Sequence, residues 1–321
     1  MTRSQTKPVA TATALLAGIL CASVYGAELR HGEEIALWPT AAPGSASLGI
    51  KEVVTERSKD PAMLDRAYAG ITRPTLTAYV PAKPNGTTLL VAPGGAYMRV
   101  VADKEGADIG QAFNQAGVTV FVLKYRLPGE GHANRQWVPL QDAQRAMRVI
   151  RSHAADWGLN PARIGVLGMS AGGHLMATLA TRFDFQAYPP VDAADKLTAR
   201  PDFLALLYPV ISMDAQWTHA DSRKMLLGDH PSAGEIEAFS ADKQVGKTVP
   251  PTFIALADDD NGVNPVNSLL FYRSLKQAKV PAELHVFPQS GHGFGIRLAQ
   301  GAAKQWPALM QSWMSTLATN R

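Results

Sequence analysis

The chain has 321 residues, of which 46% are hydrophobic and 18% are charged, and its formal net charge is +4. These values are ordinary for a globular protein. Because the excess of cations is small and is not gathered into a basic run, the sequence gives no support for a nucleic-acid partner.

The first 26 residues have the layout of a secretory signal peptide. Arg3 and Lys7 precede the apolar run VATATALLAGILCASV, and small residues follow near Gly26 and Ala27. We expect cleavage after Gly26, with cleavage after Ala27 as the alternative, while an uncleaved anchor is the competing interpretation. We therefore expect one exported domain at 27–321, periplasmic or secreted, with no membrane contact once the signal peptide is removed.

Cleavage would remove Cys21, the only cysteine, and two cations, which lowers the formal net charge from +4 to +2. The mature protein is then expected to have no disulfide and no thiol chemistry, although it would work in an oxidising compartment. Its 295 residues (321 − 26) are enough to bury a sizeable core.

Six apolar runs of strand length recur along the chain. They lack polar alternation, which is typical of strands covered on both faces, as in a parallel sheet. The earlier segment 73–81 does alternate and predicts an antiparallel edge. The six runs are residues 88–93, 118–125, 163–168, 203–211, 252–257 and 282–287.

Segments with helical periodicity lie between these strands. Residues 142–157 and 267–279 each carry an apolar stripe, another helix is expected directly after Ser170, and a last one from about 304 to 317. Strands that alternate with helices predict a doubly wound α/β sheet. The irregular stretches expected to overlie one end of this sheet are 127–138, 183–200 and 213–250.

The stretch IGVLGMSAGGHL places Ser170 between a predicted strand and a predicted helix. A G-x-S-x-G nucleophile elbow has this context, because the sharp turn strains the serine and lifts its hydroxyl above the sheet. Gly168 and Gly172 would give the clearance that such a turn needs. We interpret Ser170 as a nucleophile, against the alternative that the motif arose by chance.

A serine nucleophile needs a base, and among eight histidines we choose His292. It lies in the glycine-flanked loop PQSGHGFGI directly after the last predicted strand, and loops at the C-terminal ends of strands build the sites of such sheets. His174 is expected to point into the structure, and His285 to be packed in its strand. The other histidines fall in loops or on helix surfaces.

The base in turn needs an orienting carboxylate, which is expected between serine and histidine in chain order. The segment IALADDDNGVNP supplies Asp258, Asp259 and Asp260 at the end of a predicted strand. We choose Asp260, with Asp259 second. The competing interpretation is a solvated acidic loop.

An oxyanion hole is the fourth part that acyl transfer requires. The segment VAPGGAYMRV follows the first long apolar strand, where a glycine-rich loop is expected to turn N–H groups towards a carbonyl oxygen. The candidate donors are the amides of Gly95 or Ala96, together with that of Ala171, which follows the nucleophile. An ordinary strand-ending turn is the alternative.

Four longer segments resemble the α/β-hydrolase serine esterases of the acetylxylan esterase and BD-FAE-like (feruloyl esterase-like) family. They are APGGAYMRVVADKEG, VFVLKYRLP, LQDAQRAMRVIRSHAADWGLNPARIGVLGMSAGGHL and ELHVFPQSGHGFG. The resemblance covers roughly residues 70–317 and implies the α/β-hydrolase fold and a serine esterase without metal or cofactor. It also implies Ser170 as the nucleophile and His292 as the base.

The resemblance places the acid three residues before a valine, which the spacing from Asp260 to Val263 fits. The chain departs from the family pattern at two points. It has Asn264-Pro265 where Val-Pro-Val is expected, and Gly-Gly-Ala at 94–96 where Gly-Gly-Gly is usual.

Together these features predict an exported carboxylesterase that removes acetyl groups from plant-cell-wall carbohydrate, with a small ester or an acetylated oligo- or polysaccharide as substrate. The alternatives are a prolyl-oligopeptidase-like serine peptidase and a non-catalytic protein that stacks glycans on loop aromatics. Glycoside hydrolysis is disfavoured, because the aspartates at 258–260 are too close together to flank a sugar. In the non-catalytic alternative the stacking side chains are the loop aromatics Tyr97, Trp137, Tyr188 and Trp217.

Overall fold

A computed structural model describes Met1, residues 28–45 and residues 48–319; the expected signal peptide therefore lies outside the described residues, apart from Met1. The strands are β1 (Glu34–Ala36), β2 (Val53–Glu56), β3 (Arg66–Ala69), β4 (Thr75–Tyr79), β5 (Thr88–Ala92), β6 (Val100–Val101), β7 (Thr119–Lys124), β8 (Ile164–Met169), β9 (Leu204–Leu207), β10 (Thr252–Ala257) and β11 (Ala282–Phe287). The helices are α1 (Asp108–Asn114), α2 (Val138–Ser152), α3 (Ser170–Thr181), α4 (Ala220–Leu227), α5 (Ala233–Phe239), α6 (Val266–Gln277) and α7 (Trp306–Thr319).

Eight strands form one sheet in the order β1-β4-β7-β5-β8-β9-β10-β11. The pairs β1–β4 and β4–β7 are antiparallel, and all the others are parallel. The prediction of a mostly parallel sheet with an antiparallel N-terminal edge is therefore confirmed. The segment 73–81 is antiparallel as expected, but it is the second strand, because β1 pairs outside it.

The central strands are buried on both faces, which explains their unbroken apolar sequences. Neighbouring residues of one strand enter different cores: Leu90 and Val166 pack in one cluster, whereas Val91 and Leu167 pack in the other. Strand β11 departs from the prediction of full burial, because it is the last strand of the sheet, and of its six residues Phe287 alone is buried.

The predicted helices are present with shifted ends. Helix α2 begins at Val138 rather than 142, because Pro139 suits the first helical turn, where its missing N–H is not needed. Strand β9 is shorter than predicted: it ends at Leu207, since Tyr208 takes a left-handed φ of 39° and Pro209 follows. Among the described residues, no helix is long and apolar enough to cross a bilayer.

Three features escape the sequence patterns. Helices α4 and α5 lie within the stretch 213–250, which has no clear periodicity. A second sheet, β2-β3-β6, is antiparallel and joins the segment before β4 to the chain after β5. Strand β2 is exposed along its whole length, so no alternation marks it.

A buried ion pair joins the end of β7 to α2. The Arg126 guanidinium donates from Nε to Oδ2 of Asp142 at 2.9 Å and from Nη2 to Oδ1 at 2.8 Å, and both side chains are fully buried. The indole of Trp38 donates to the same carboxylate at 2.9 Å. Arg126 therefore has a structural role, because Asp142 compensates its charge inside the fold.

Candidate active site

Ser170 lies in the turn between β8 and α3. Its φ of 51° is in the left-handed region, which a residue other than glycine occupies only under strain. A Cβ atom on Gly168 would overlap the carbonyl oxygen of Gly172, and one on Gly172 would overlap that of Ala92. The two glycines thus give the close approach that the sequence predicts for this turn.

Ser170, His292 and Asp260 form one chain of hydrogen bonds. Oγ of Ser170 lies 2.9 Å from Nε2 of His292, and Nδ1 of His292 lies 2.8 Å from Oδ2 of Asp260. A carboxylate can only accept, so Nδ1 carries the proton and Nε2 is free to accept from the serine hydroxyl. A Cβ on Gly262 would lie only 2.8 Å from Cγ of His292, so this glycine leaves room for the ring.

The structure separates the roles of the two aspartates between which the sequence leaves a choice. Asp260 is 6% exposed, and its Oδ1 accepts from the amides of Gly262 and Val263 at 2.8 Å while Oδ2 faces His292. Asp259 does not contact the imidazole. Its Oδ1 accepts from the backbone amides of the 288–295 loop, which carries His292.

The two hydrogen bonds to Asp259 come from Gly291 and Ser290, each at 2.8 Å, and they hold the pKa of its carboxyl group below the usual value. Asp259 thus fastens the loop that carries His292, whereas Asp260 contacts the imidazole itself.

The 93–99 loop, between β5 and β6, lies against Ser170. A Cβ on Gly94 would come within 2.8 Å of Cβ of Ser170. Gly95, Ala96 and Tyr97 have φ values of 130°, 57° and 58°, so the loop is held in conformations that favour glycine. The N–H of Gly94 donates to Glu105 at 2.7 Å, which removes it as a free donor.

The predicted oxyanion donors remain open to a ligand. The amides of Gly95 and Ala96 hydrogen bond to none of the residues that the structure describes, and the amide of Ala171 belongs to the first turn of α3, where intrahelical acceptors are missing. Gly95 and Ala96 line the same cleft as Ser170, and Ala171 follows Ser170 in the chain.

Glu105 is a buried carboxylate that the sequence analysis did not select. It lies in a π-helical turn, Asp103–Ala107, and is 4% exposed. Besides Gly94, it accepts from the hydroxyl of Tyr208 at 3.1 Å, and that hydroxyl accepts from the amide of Gly295 at 3.2 Å. Burial raises the pKa of Tyr208 well above its ordinary value, so the hydroxyl stays a donor. This network ties the 93–99 loop to the 288–295 loop.

His174 points into the structure, as predicted, but it supports the site. It lies one turn after Ser170 on α3, and its Nε2 donates to the carbonyl of Phe239 at 2.7 Å. Its Nδ1 accepts from the hydroxyl of Tyr97 at 2.8 Å. Burial lowers the pKa of His174 to about 4, so it stays neutral. The imidazole therefore anchors the 93–99 loop to the end of α5.

A cleft of about 260 Å³ opens over Ser170 and His292. Its lining also includes the 93–99 loop, Glu105, Arg57 from the end of β2, and His219 at the start of α4. The last two come from segments that carry no recognisable sequence motif. Among the described residues, no group of three or more His, Cys, Asp or Glu side chains is arranged to hold a metal ion.

The four loop aromatics do not form a sugar-stacking surface. Tyr97 and Tyr188 are buried and hydrogen bonded, the latter to Asp195. Trp137 stacks on Phe185 with ring centroids 4.3 Å apart. Trp217 is half-buried and does not line the cleft. Anchoring of loops accounts for the first three.

Comparison with known proteins identifies relatives of this chain. Residues 76–275 match the BD-FAE family. The endo-1,4-beta-xylanase B of Butyrivibrio fibrisolvens is 36% identical over 65% of this chain and 32% of its own length. The acetylxylan esterase of Xylanibacter ruminicola is 32% identical over 69% of this chain and 44% of its own length. The chain thus spans less than half of either curated relative.

A solved structure agrees over nearly the full length. The acetyl ester-xyloside bifunctional hydrolase of Caldicellulosiruptor lactoaceticus is 34% identical and superposes with a TM-score of 0.74, covering 90% of this chain and 97% of its own. The family match spans more than half of the sequence, and it includes Ser170 and Asp260. The chain therefore belongs to the BD-FAE family and has the α/β-hydrolase fold.

Proposed function

We propose that this protein is an exported serine carboxylesterase that removes acetyl groups from carbohydrate. The proposal rests on the chain of hydrogen bonds from Ser170 through His292 to Asp260, beside free amides. It is supported by similarity to an acetylxylan esterase and to an acetyl ester-xyloside hydrolase.

Catalysis would begin with Ser170 Oγ attacking the ester carbonyl carbon while Nε2 of His292 takes the hydroxyl proton. The carbonyl electrons move to the oxygen, which the amides of Ala171 and of Gly95 or Ala96 stabilise. Asp260 keeps the imidazole in the required tautomer and stabilises its positive charge.

Collapse of the tetrahedral intermediate breaks the bond to the alcohol, and His292 delivers its proton to the leaving oxygen. An acetyl group then remains on Ser170 Oγ. Water, deprotonated by His292, attacks this acetyl-enzyme to form a second tetrahedral intermediate. Its collapse breaks the bond to Ser170 Oγ, to which His292 returns the proton, and releases acetate.

Glycoside hydrolysis is not part of the proposal. Among the residues that the structure describes, two carboxylates line the cleft, Glu105 and Asp221. Both oxygens of Glu105 already accept hydrogen bonds, from Gly94 and Tyr208. Glycoside hydrolysis needs two carboxylates, one as acid and one as base or nucleophile. With Glu105 occupied, Asp221 has no free partner in this lining. We expect no release of 4-nitrophenol from 4-nitrophenyl β-xyloside.

Hydrolysis of 4-nitrophenyl acetate, butyrate and octanoate by residues 27–321 tests the proposal, with Ser170→Ala as the matched variant. We expect a preference for acetate and a loss of activity of about 10⁴-fold or more in the variant. Activity that survives Ser170→Ala would reject the nucleophile. Cleavage of 4-nitroanilide peptides but not of esters would favour the peptidase alternative.

Export is a separate part of the proposal. It depends on the signal-peptide layout of residues 1–26, which Edman sequencing of the protein from the periplasm or medium would test. A first residue at Ala27 or Glu28 is expected, and a mature chain that begins at Met1 or Thr2 would contradict cleavage.

A further inference from the structure

The start of α4 brings two polar side chains to the cleft that the mechanism above does not use. His219 and Asp221 both line the cleft together with Ser170 and His292. His219 is half-buried and Asp221 is exposed. They belong to helix α4 and its N-cap, and not to the loops that carry Ser170, His292 and Asp260.

One tautomer of His219 is fixed by its role as the N-cap of α4. Its Nδ1 accepts from the backbone N–H of Ser222 at 3.3 Å, and Oγ of Ser222 lies 2.9 Å from the same atom. A backbone N–H can only donate, so Nδ1 must be unprotonated. In the neutral ring the proton is therefore on Nε2, which hydrogen bonds to no described residue.

The imidazole is held in its neutral form. Burial lowers the pKa of His219, and the neighbouring His292 acts in the same direction, whereas Asp221 and Asp260 oppose them. A neutral ring with a bound Nδ1 offers the cleft one donor, Nε2–H. The carboxylate of Asp221, which has no hydrogen-bond partner among the described residues, offers acceptors two residues further on.

We infer that His219 and Asp221 form a subsite for the leaving alcohol, which binds adjacent hydroxyl groups of a sugar. A vicinal diol presents an oxygen that accepts and an O–H that donates, which matches this donor and acceptor. The inference rests on the proposed esterase function and deepens it, because it selects polyhydroxylated alcohols over alkyl alcohols.

A matched pair of substrates isolates one adjacent hydroxyl. Cyclohexyl acetate and cis-2-hydroxycyclohexyl acetate have the same ring and the same acyl group, and released acetate measures both. We expect kcat/KM to be at least about fivefold higher for the hydroxylated ester, because a hydrogen bond to substrate is worth roughly that factor. Equal kcat/KM values for the two esters in the wild type would overturn the subsite.

Two variants of His219 separate binding from helix capping. His219→Asn keeps a short amide that caps α4 but removes the donor at the Nε2 position; His219→Gln keeps a donor near that position and loses the cap. We expect His219→Asn to lower the ratio of the two kcat/KM values about three- to tenfold with little change in Tm. His219→Gln should lower Tm and keep most of the ratio.

If His219→Asn kept the ratio of the two kcat/KM values and His219→Gln lowered both Tm and this ratio, His219 would act only as a cap. That result would overturn the proposal. Asp221→Ala should lower the ratio by a similar factor, mainly through KM. Asp229→Ala is its control, because this exposed aspartate follows α4 and does not line the cleft.

Failure of the esterase function itself is distinguishable, since neither acetate would then be hydrolysed. The subsite is tested in that case by titrating cis-1,2-cyclohexanediol into Ser170→Ala and following the His219 ring protons by NMR. We expect the chemical shifts of these protons to change with the diol until they saturate, and not to change with cyclohexanol. Equal responses to the diol and to cyclohexanol would reject the subsite.

Discussion

The lowered pKa of His174 is expected to make the folded chain less stable in mild acid, because the unfolded chain takes up the proton first. The pKa of His174 is about 4 in the folded protein, against 6.5 for an unperturbed histidine. Between these values the unfolded chain binds a proton that the folded chain does not, so the free energy of unfolding falls as the pH drops. The contribution is complete above pH 6.5 and decreases towards pH 4.

The difference of 2.5 pH units (6.5 − 4) corresponds to about 3 kcal/mol, because one unit is worth about 1.4 kcal/mol. Urea unfolding at pH 7.5 and at pH 4.5 measures most of it, about 2–3 kcal/mol. Other groups titrate in the same range, so the informative quantity is the difference between wild type and His174→Gln.

His174→Gln keeps an amide donor for the carbonyl of Phe239 but leaves the hydroxyl of Tyr97 without its acceptor, which costs about 1–3 kcal/mol at pH 7.5. The variant has no imidazole to protonate, so its disadvantage should shrink by about 2–3 kcal/mol at pH 4.5, which leaves between about +1 and −2 kcal/mol. Tyr97→Phe is the control, because it breaks the same hydrogen bond and keeps the titrating ring. Equal pH dependence in wild type and His174→Gln would refute this account.

Three further outcomes follow from the geometry. Asp260→Asn should lower kcat for 4-nitrophenyl acetate about 10⁴-fold, because the amide favours the wrong tautomer of His292. Asp259→Asn should lower kcat less than about tenfold, because its amide oxygen still accepts from the 288–295 loop. Similar losses in both variants would contradict the assignment. Gly172→Ala should lower the free energy of unfolding by about 3 kcal/mol, because its Cβ would overlap a carbonyl at the end of β5, and a Tm equal to wild type would show that the turn relaxes. Asp142→Ala should lower the free energy of unfolding, measured in urea, by about 3–5 kcal/mol, because it leaves Arg126 buried without a counter-charge. Adding Arg126→Met to this variant should recover much of the loss. An additive loss in the double variant would count against this explanation.

The sequence was sufficient for the elements whose pattern is local. Ser170 is marked by glycines on both sides within a strand-to-helix context, and His292 by a glycine-flanked loop after the last strand. The parallel sheet follows from apolar runs without alternation, because strands covered on both faces are apolar along most of their length.

Other features depend on contacts between distant residues, and no local pattern contains them. Asp259 and Asp260 are neighbours of the same type, and only the path of the 288–295 loop decides which one meets His292. His219 carries a signal in retrospect, since it precedes helix α4 as an N-cap. Histidine is not among the usual capping residues, however, and α4 itself has no clear apolar period.

The four segments of the candidate site follow strands β5, β8, β10 and β11, and Gly95 and His292 are 197 residues apart (292 − 95). Contacts over such separations form late in folding, because the loop-closure entropy of the intervening chain must first be overcome. Strand β11 is at the sheet edge, and among the described strands it pairs only with β10. A chain still emerging from the ribosome holds Ser170 well before it holds His292, so the hydroxyl stays without its imidazole partner until the last strand has joined the sheet.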